Sequence, residues 1–391
     1  MTVLGGVLLG RVPGAEAQAP TAALLERGAL YVQVPERLTP RVHVLRQRQP
    51  NFAGVIGNVT VIEQAEGLVL VDAGASHGSG VRIVEMVRAI SPKPVTAVVL
   101  THWHGDHVMG LSAIRAAWPR AEVIAHAQAA ADIDARLSQL FPRAPSPTYE
   151  HERMEALDAA YADIERNQAA QAKTDAEREG WRRVLGTREL RLADVPGTHL
   201  LSATRTFADS LTLADARTPL ELRFLGRANT SGDVVAWVPS EGVLVAGDIV
   251  VAPVPYMIQV YPSELVQTVG RLQGMPFRWL VPGHGAPQRD RKYLEQLSTL
   301  VRSVRQQVEP LARAGVAVDS IVGRLRVERE RSGFAQRDSW LQYWFDLYGL
   351  APLIQSTFDE VLGRPLGPSV PPDNGTAPAR LIGASSATNL P

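Results

Sequence analysis

The sequence predicts an α/β protein in which strands alternate with helices along most of the chain. Short runs rich in Val, Ile and Leu alternate with segments whose apolar residues recur at helical spacing. Several of the apolar runs end directly in an aspartate or a histidine. Because the strands of an α/β sheet end at a shared edge, where such proteins place their chemistry, these polar residues are candidates for one functional site.

The first part of the chain shows the clearest alternation of strand and helix. Two β-branched segments, RVHVLR and GVIGNVTVIEQ, precede GLVLVDAG, an apolar run that ends at Asp72. VRIVEMVRAI has apolar residues at helical spacing and stops before Pro92. Residues 95–102, VTAVVLTH, are typical of a strand buried on both faces. A helix is predicted at residues 110–118, followed by the strand AEVIAH.

Residues 127–190 interrupt this alternation, and their composition predicts a helical insertion. They are rich in Ala, Glu, Arg and Gln, with apolar residues at intervals of three and four from Met154 to Ile164. Strands are predicted again in LELRFLGR, DVVAWVP and GVLVAGD. A helix around residues 263–273 and the strand-like WLVPGHG follow them.

The chain after residue 290 is predicted to be a helical extension packed on the domain. One apolar stripe runs along it at spacings of three and four residues: Leu294, Leu297, Val301, Val304, Val308 and Leu311. The predicted organisation has four parts: a leader at 1–19, an α/β domain at 29–290, the helical extension at 291–365, and a disordered tail at 366–391.

The leader resembles the end of a secretory signal. A short apolar run precedes small residues in the pattern A-E-A-Q-A, so cleavage is predicted after Ala17 or Ala19. The positively charged segment that normally opens such a signal is missing, which leaves an uncleaved leader as the alternative. The leader favours a periplasmic or secreted protein over a cytoplasmic one.

The composition excludes several classes of chemistry and partner. The chain has 391 residues, 40 basic against 40 acidic side chains, and no cysteine. Without cysteine there are no disulfides, no thiolate metal ligands and no cysteine nucleophile. A zero net charge disfavours a nucleic-acid partner, and no stretch is long and apolar enough for a membrane partner. The expected partner is a small-molecule substrate.

The densest group of metal-ligand side chains lies in THWHGDHVMG, directly after a predicted buried strand. His102 and His104 are two residues apart, and extended backbone places both imidazoles on the same side. Gly105 is expected to adopt an unusual backbone angle that turns Asp106 and His107 towards the same point. Imidazole nitrogen together with carboxylate oxygen is a ligand set that zinc prefers.

Three further polar residues end apolar runs and are expected at the same edge. Asp248 ends GVLVAGD, and His284 lies between two glycines in LVPGHGAP. Both are candidate metal ligands. Asp72 either caps the next helix or accepts a hydrogen bond from a ligand histidine and orients it, and the second role is favoured.

These residues together resemble the metallo-β-lactamase-fold hydrolase superfamily, from about Gly54 to His284. The resemblance rests on HWHGDH, on Asp72 before it, and on Asp248 and PGHG after it. It implies a four-layer αββα sandwich with metal ions at one edge. It also implies the ligands of each ion: His102 and His104 for the first, Asp106, His107 and His284 for the second, and Asp248 bridging the two.

One position departs from the family pattern. The third histidine of the first site usually lies in a segment resembling G-x-x-H-T-x-G-D, whereas this chain has GRANTSGD, with Asn229 at that place. Asn229 either coordinates through its amide oxygen, which is a weaker donor than imidazole, or forms hydrogen bonds beside a water-completed metal. The second site, with two carboxylates, is therefore expected to bind zinc more tightly and to fill first.

Other branches of the superfamily fit the residues less well. Iron dioxygenases of the fold use the missing histidine, and di-iron redox members have glutamate where His104 stands. Zinc β-lactamases usually carry cysteine or serine in place of Asp248. The resemblance therefore points to the broader hydrolases, which include esterases, lactonases, thioesterases and β-lactamase-like enzymes.

The site residues predict a zinc-dependent hydrolase that binds one or two ions. A metal-bound hydroxide, hydrogen-bonded to the catalytic residues Asp106 or Asp248, would attack the carbonyl of a β-lactam, lactone, ester or thioester. Tyr256 and Tyr261 follow Asp248 and are candidate pocket residues. The alternative is a non-catalytic accessory protein that binds a metal or small molecule through a degenerate first site. Retention of Asp106, Asp248 and His284 argues against it.

Overall fold

The computed structural model describes residues 32–47, 55–146, 165–186 and 193–366, together with Ala159 and Asp163. Four sequence predictions lie wholly or largely outside these residues: the leader, the tail, the centre of the insertion, and the apolar spacing through Met154, Leu157, Tyr161 and Ile164.

The first sheet has seven strands that pair in the order in which they occur along the chain. They are β1 Val34–Thr39, β2 Val42–Arg46, β3 Val59–Glu63, β4 Leu68–Val71, β5 Val95–Leu100, β6 Glu122–His126 and β7 Arg205–Phe207. The pairs from β1 to β4 are antiparallel, and those from β4 to β7 are parallel. The parallel half brings the carboxyl ends of β4 and β5 side by side.

The second sheet has five strands in the order β12-β11-β10-β9-β8. They are β8 Ser210–Leu213, β9 Leu220–Phe224, β10 Val234–Val238, β11 Val243–Val251 and β12 Trp279–His284. β11 and β12 are parallel, and the remaining pairs are antiparallel. β11 and β12 consequently present their carboxyl ends together, as β4 and β5 do in the first sheet.

Helices cover the outer faces of both sheets. They are α1 His77–Ile90, α2 Gly105–Val108, α3 Leu111–Ala117, α4 Ala127–Arg136, α5 Asp175–Leu185, α6 Pro262–Gln273, α7 Lys292–Arg313, α8 Val318–Val322, α9 Glu328–Ala335, α10 Ser339–Trp344 and α11 Ala351–Val361. A π-helical segment, Phe345–Leu350, joins α10 to α11. Among the described helices, none is long and apolar enough to cross a membrane.

Three clusters of buried apolar side chains show how the layers pack. One cluster lies between the sheets and joins Val71 and Val99 of the first to Val245 and Val281 of the second. A second joins the outer face of the first sheet to the helices before residue 140. The third joins the second sheet to α5, α6, α7 and the C-terminal helices. The molecule is thus an αββα sandwich with additional helices, which confirms the predicted fold class.

The long helix α7 follows the apolar stripe that the sequence predicts. Leu294, Leu297, Val301, Val304 and Val308 are all buried against the second sheet and its helices. Burial of each such side chain contributes about 1.5–3 kcal/mol, which is enough to hold the extension on the domain. The stripe is therefore a packing surface.

Hydrogen bonds tie residues that flank strands of the first sheet to strands of the second. The backbone N–H of Asn58 donates to the carbonyl of Gly283 at 2.7 Å, and its side-chain amide donates to the carbonyl of Pro282 at 2.8 Å. The backbone N–H of Val234 donates to the carbonyl of Thr101 at 2.9 Å. These bonds fix the strand ends around the candidate site.

Candidate metal centre

The predicted ligands converge because parallel strands end together. Asp72 follows β4, the segment from His102 to His107 follows β5, and His284 ends β12. Asp248 lies within β11, where the register with β12 shifts around Gly247, which has a φ of 52°. Such an irregularity turns the next side chain away from the regular pleat, and here it directs Asp248 to the site.

The first group of donor atoms consists of His102, His104 and one oxygen of Asp248. His102 Nε2 and His104 Nδ1 are 2.9 Å apart. Asp248 Oδ2 lies 3.5 Å from His102 Nε2 and 3.8 Å from His104 Nδ1. The three atoms therefore surround a point that a small cation could occupy.

The second group consists of Asp106, His107 and His284. Asp106 Oδ2 lies 3.5 Å from His107 Nε2 and 3.1 Å from His284 Nε2, and the two imidazole nitrogens are 3.1 Å apart. Asp248 Oδ1 lies 3.2 Å from His107 Nε2 and 3.5 Å from His284 Nε2. The two oxygens of Asp248 thus face the two groups, one each.

Hydrogen bonds fix which nitrogen of each imidazole faces the centre. Asp72 Oδ2 accepts from His107 Nδ1 at 2.8 Å and from the Thr101 hydroxyl at 2.9 Å. Because that hydroxyl donates to Asp72, it accepts from His102 Nδ1 at 2.9 Å. The amide oxygen of Gln259 accepts from His104 Nε2 at 2.9 Å. When the three imidazoles are neutral, their inner nitrogens are therefore the ones that carry the lone pairs.

This donor set fits a metal ion. Imidazole lone pairs about 3 Å apart repel one another unless a cation or a proton lies between them, and zinc binds such nitrogens together with carboxylate oxygen. Asp248 Oδ1 is buried and accepts no hydrogen bond from the described residues, which leaves its lone pairs for a metal. The same six residues could supply three or four donors to each of two ions.

Two glycines make room for the ligands. A Cβ atom on Gly57 would lie 2.3 Å from the ring of His107, and one on Gly283 would lie 1.9 Å from Asp248 Oδ1. Neither distance is compatible with a side chain, because carbon atoms in contact lie about 3.5–4 Å apart. The backbone therefore approaches the centre too closely for any residue except glycine at these positions.

Asp72 itself has a left-handed backbone, with a φ of 68°. Its carboxylate also accepts from the backbone N–H of Thr101 at 2.8 Å, so three donors hold it. Helix α1 is capped by Ser76 in a capping box with Ser79. The geometry thus places Asp72 on a ligand histidine and leaves the helix cap to another residue.

The expectation for Gly105 is wrong. Among the described glycines with positive φ, Gly105 does not occur. It begins the short helix α2, for which His104 is the N-cap with an extended backbone, and one helical turn brings Asp106 and His107 to the centre. The turn is made by regular helical geometry, which needs no special backbone angle.

Burial and neighbouring charges set the pKa values of the ligand histidines. Burial lowers the pKa of His102, and the charge of His107 lowers it further. Burial also acts to lower the pKa of His107, but the surrounding carboxylates, Asp248 foremost, hold that pKa well above its usual value. A metal ion bound by His107 must displace a proton, so metal affinity at the second group rises with pH.

The two ligand carboxylates stay charged. Burial acts to raise the pKa of Asp248, but the adjacent imidazoles, His107 foremost, hold it well below its usual value. The pKa of Asp106 is lowered in the same way by His107 and His284 against the effect of burial. The charges of Asp106 and Asp248 therefore both lie beside the second group. The first group has only the charge of Asp248 beside it, which the two groups share.

Asn229 is buried close to this centre. It is 2% exposed, and neither its amide oxygen nor its amide nitrogen has a hydrogen-bond partner among the described residues. Together with Asp248 it lines a cavity of about 10 Å³, which is room for one water-sized body. Because an unpaired buried amide costs about 1–3 kcal/mol, Asn229 is expected to have a partner in this cavity.

The two predicted pocket tyrosines lie in different surroundings. The ring of Tyr256 makes an edge contact with His104, with 5.8 Å between the ring centres. The ring of Tyr261 lies under the guanidinium of Arg227, 4.2 Å away, and Arg227 in turn pairs with Glu264. The structure therefore brings Tyr256 to the centre and gives Tyr261 a separate contact.

Three other described histidines have local roles. His126 caps α4 and stacks on Phe224, and His199 bonds to the carbonyl of Gly197 at 2.9 Å. His77 bonds to the Ser112 hydroxyl at 3.0 Å. His151 lies outside the described residues.

The sequence reasoning missed two residues that orient ligands, Thr101 and Gln259. Thr101 directly precedes His102 at the end of a strand, so its position was a usable signal. Gln259 lies far along the chain, in the loop between β11 and α6, and no spacing in the sequence connects it with His104.

Comparisons with known proteins agree with this geometry. Residues 53–297 match the family model of the metallo-beta-lactamase superfamily. The chain is 24% identical over 288 residues to the linear primary-alkylsulfatase of Pseudomonas sp. (strain ATCC 19151), an alignment that covers 70% of this chain and 51% of that protein. It is 29% identical over 101 residues to the atrochrysone carboxyl ACP thioesterase of Passalora fulva, an alignment that covers 24% of this chain and 30% of that protein.

A solved structure extends the comparison to the fold. The stereoselective inverting sec-alkylsulfatase Pisa1 from Pseudomonas sp. superposes with a TM-score of 0.58 at 16% identity, covering 84% of this chain and 50% of that one. The chain spans about half the length of the alkylsulfatases it matches. Since the family model covers well over half of the residues, the chain belongs to the metallo-beta-lactamase superfamily.

Proposed function

We propose that this chain is a zinc-dependent hydrolase that cleaves a small carbonyl substrate, such as a β-lactam, lactone, ester or thioester. One observation carries the proposal: two groups of inward-facing donor atoms share the carboxylate of Asp248, which offers one oxygen to each. Superfamily membership and the relatives named as hydrolases support the same conclusion.

The chain's own residues prepare both the metal sites and the reaction. Zinc, when bound, lowers the pKa of a water molecule to about 7 and polarises a carbonyl oxygen. His102 and His104 would hold the first ion, and His107 and His284 the second. Asp106 has the most exposed side chain of the six, at 27%, so its charged carboxylate is the one best placed to accept a hydrogen bond from the attacking water and orient it.

The test is a hydrolysis panel run beside a metal count on the purified protein. We expect one or two zinc ions per chain, turnover of at least one β-lactam, lactone, ester or thioester, loss of that turnover on chelation, and its return with zinc. His284→Ala should abolish it, whereas His199→Ala, which alters a histidine remote from the centre, should leave it unchanged. Protein that lacks bound cations and is indifferent to added ones would refute the proposal.

Sulfate esters are a second candidate substrate class. The relative aligned over 70% of the chain is named as an alkylsulfatase, and the structure covering 84% of it is named likewise. The panel should therefore include a linear alkyl sulfate. Zinc-dependent release of inorganic sulfate, without turnover of the carbonyl compounds, would assign this class instead.

Asn229 stands where the family pattern has histidine, and this difference should make the zinc affinities of the two sites unequal. Because an amide oxygen is a weaker donor than imidazole, we expect limiting zinc to occupy the second site first. Asn229→His should tighten the first site on the order of 10–100-fold and raise the zinc content towards two. Stepwise zinc titration against a chromogenic chelator, with anomalous scattering to assign sites, measures both. Unchanged zinc content in the variant, or filling of the first site alone, would contradict the scheme.

A further inference from the structure

The surroundings of His104 differ from those of the other ligands. Beyond the donor groups, His104 contacts three uncharged side chains: Trp103 at 4.7 Å and Tyr256 at 5.8 Å between ring centres, and Gln259 through its hydrogen bond. Two aromatic rings therefore contact the imidazole of His104.

Tyr256 continues into a row of stacked rings from the C-terminal extension. Tyr256 stacks on Tyr348 at 6.0 Å with 18° between the ring planes, and Tyr348 stacks on Trp344 at 4.3 Å with 16°. Trp344 contacts Trp181 of α5 at 6.2 Å. The aromatic row, Tyr256–Tyr348–Trp344–Trp181, thus joins the loop after β11, the extension and the insertion.

The backbone fixes Tyr348 against the loop that carries Tyr256. The carbonyl of Tyr348 accepts from the N–H of Met257 at 2.8 Å. At the next residue, a Cβ atom on Gly349 would lie 3.0 Å from the carbonyl oxygen of Pro255. Both contacts come from the π-helical segment Phe345–Leu350, a conformation that is rare and occurs frequently at functional sites.

Exposure changes along the aromatic row. Trp181 and Trp344 are buried, at 1% and 8%, which is the behaviour of core residues. Tyr256 and Tyr348 are partly exposed. The row therefore begins in the core and ends at the solvent-accessible side of His104, where packing alone does not require two stacked rings.

We propose that Tyr256 and Tyr348 form an apolar wall of the substrate pocket, and that the substrate carries an uncharged aromatic group that lies on it. This inference rests on the proposed function, which places a reacting bond at the metal centre. Aromatic rings prefer offset or edge contacts with other rings, and the partly exposed rings of Tyr256 and Tyr348 offer such contacts. The C-terminal extension thus determines specificity through Tyr348.

Binding of two carboxylates to the zinc-loaded full chain tests this wall. 1-Naphthoate and acetate present the same carboxylate to the metal ions, and only naphthoate has a ring for the wall. We expect naphthoate to bind at least about tenfold more tightly than acetate, as measured by ligand-observed NMR. Tyr348→Ala should weaken naphthoate about tenfold and leave acetate within about twofold, whereas Tyr348→Phe should bind both as the unchanged protein does.

Two further variants distinguish a role of Tyr348 in ligand binding from a role in core packing. Tyr348→Leu keeps apolar volume without a ring and should bind naphthoate with intermediate affinity. Tyr343→Ala alters another tyrosine of the extension, which stacks on Trp340 and contacts the aromatic row at its buried end, Trp181, and should leave both affinities unchanged. Equal weakening of both carboxylates, or equal affinity for them in the unchanged protein, would overturn the proposal. If the proposed metal site were wrong, the purified protein would contain no zinc, and the metal count would show this independently of the carboxylate affinities.

Discussion

Replacing Asp248 with alanine is expected to remove zinc from both sites and to lower hydrolysis on the order of 10³-fold. The reason is that its two oxygens face the two donor groups, so a single substitution deprives each ion of a charged ligand. Metal ions stabilise the transition state by several kcal/mol, and each 1.4 kcal/mol is tenfold in rate. Zinc content by mass spectrometry and kcat/KM on the best substrate of the panel measure the two effects.

A matched control distinguishes this effect from a general loss of charge. Asp175 has a fully exposed side chain in α5, and Asp175→Ala should change neither zinc content nor kcat/KM. Circular dichroism should show that the Asp248 variant is folded. If that variant kept one zinc ion with its affinity unchanged, Asp248 would belong to one site only and the bridging arrangement would be wrong.

Asp72→Asn is expected to weaken zinc binding at both sites by about 10–100-fold, without contacting either ion. Asp72 orients His107 directly and His102 through the Thr101 hydroxyl, and residues that orient metal ligands have effects of this size. Asparagine tolerates the left-handed backbone of residue 72, so this substitution isolates the hydrogen bonds from backbone strain. Stepwise zinc titration measures both affinities.

Thr101→Val provides the comparison for that variant. Valine has the shape of threonine without the hydroxyl, so the hydroxyl's bonds to Asp72 and His102 are both lost, while the bond between Asp72 and His107 remains. The first site should weaken as it does in Asp72→Asn, while the second keeps its affinity. Equal weakening of both sites by Thr101→Val would show that Asp72 does not act on the two histidines through separate hydrogen bonds.

The convergence of the candidate ligands could be predicted from the sequence because each follows, ends or lies in a recognisable strand. His102 follows the apolar run of β5 after Thr101, and His284 ends the run of β12. Parallel strands bring such positions together whatever the loops between them do. Asp248 was found for the same reason, although β11 continues beyond it. The bulge that turns it inward depends on pairing with β12 and has no local signature.

The residues that escaped prediction act through contacts distant in sequence. Gln259 and Tyr348 lie more than 150 residues after His104, and only the packing of the loop and the extension brings them near it. Gly105 shows the opposite error, because a flexible residue was expected where a helical turn suffices.

Short strands at the borders of the sheets also escaped prediction. β1 is the segment VPERLT, β7 has three residues, and β8 is SLTL. Border strands pair on one side only and are half exposed, so their sequences lack the long apolar runs that identify the central strands. The strands that carry or precede the candidate ligands each contain an apolar run, including the border strand β12, and were therefore predictable.

The packing of the two sheets against each other determines how this protein can lose its activity. Asp72 and residues 102–107 belong to one half of the sandwich, and Asp248 and His284 belong to the other. A bound ion would crosslink the two halves of the sandwich, so the free energy of metal binding would add to the free energy of unfolding. A slip of the halves by an ångström or two would dismantle the centre while every strand stayed paired. Activity would then vanish before any change in secondary structure could be seen.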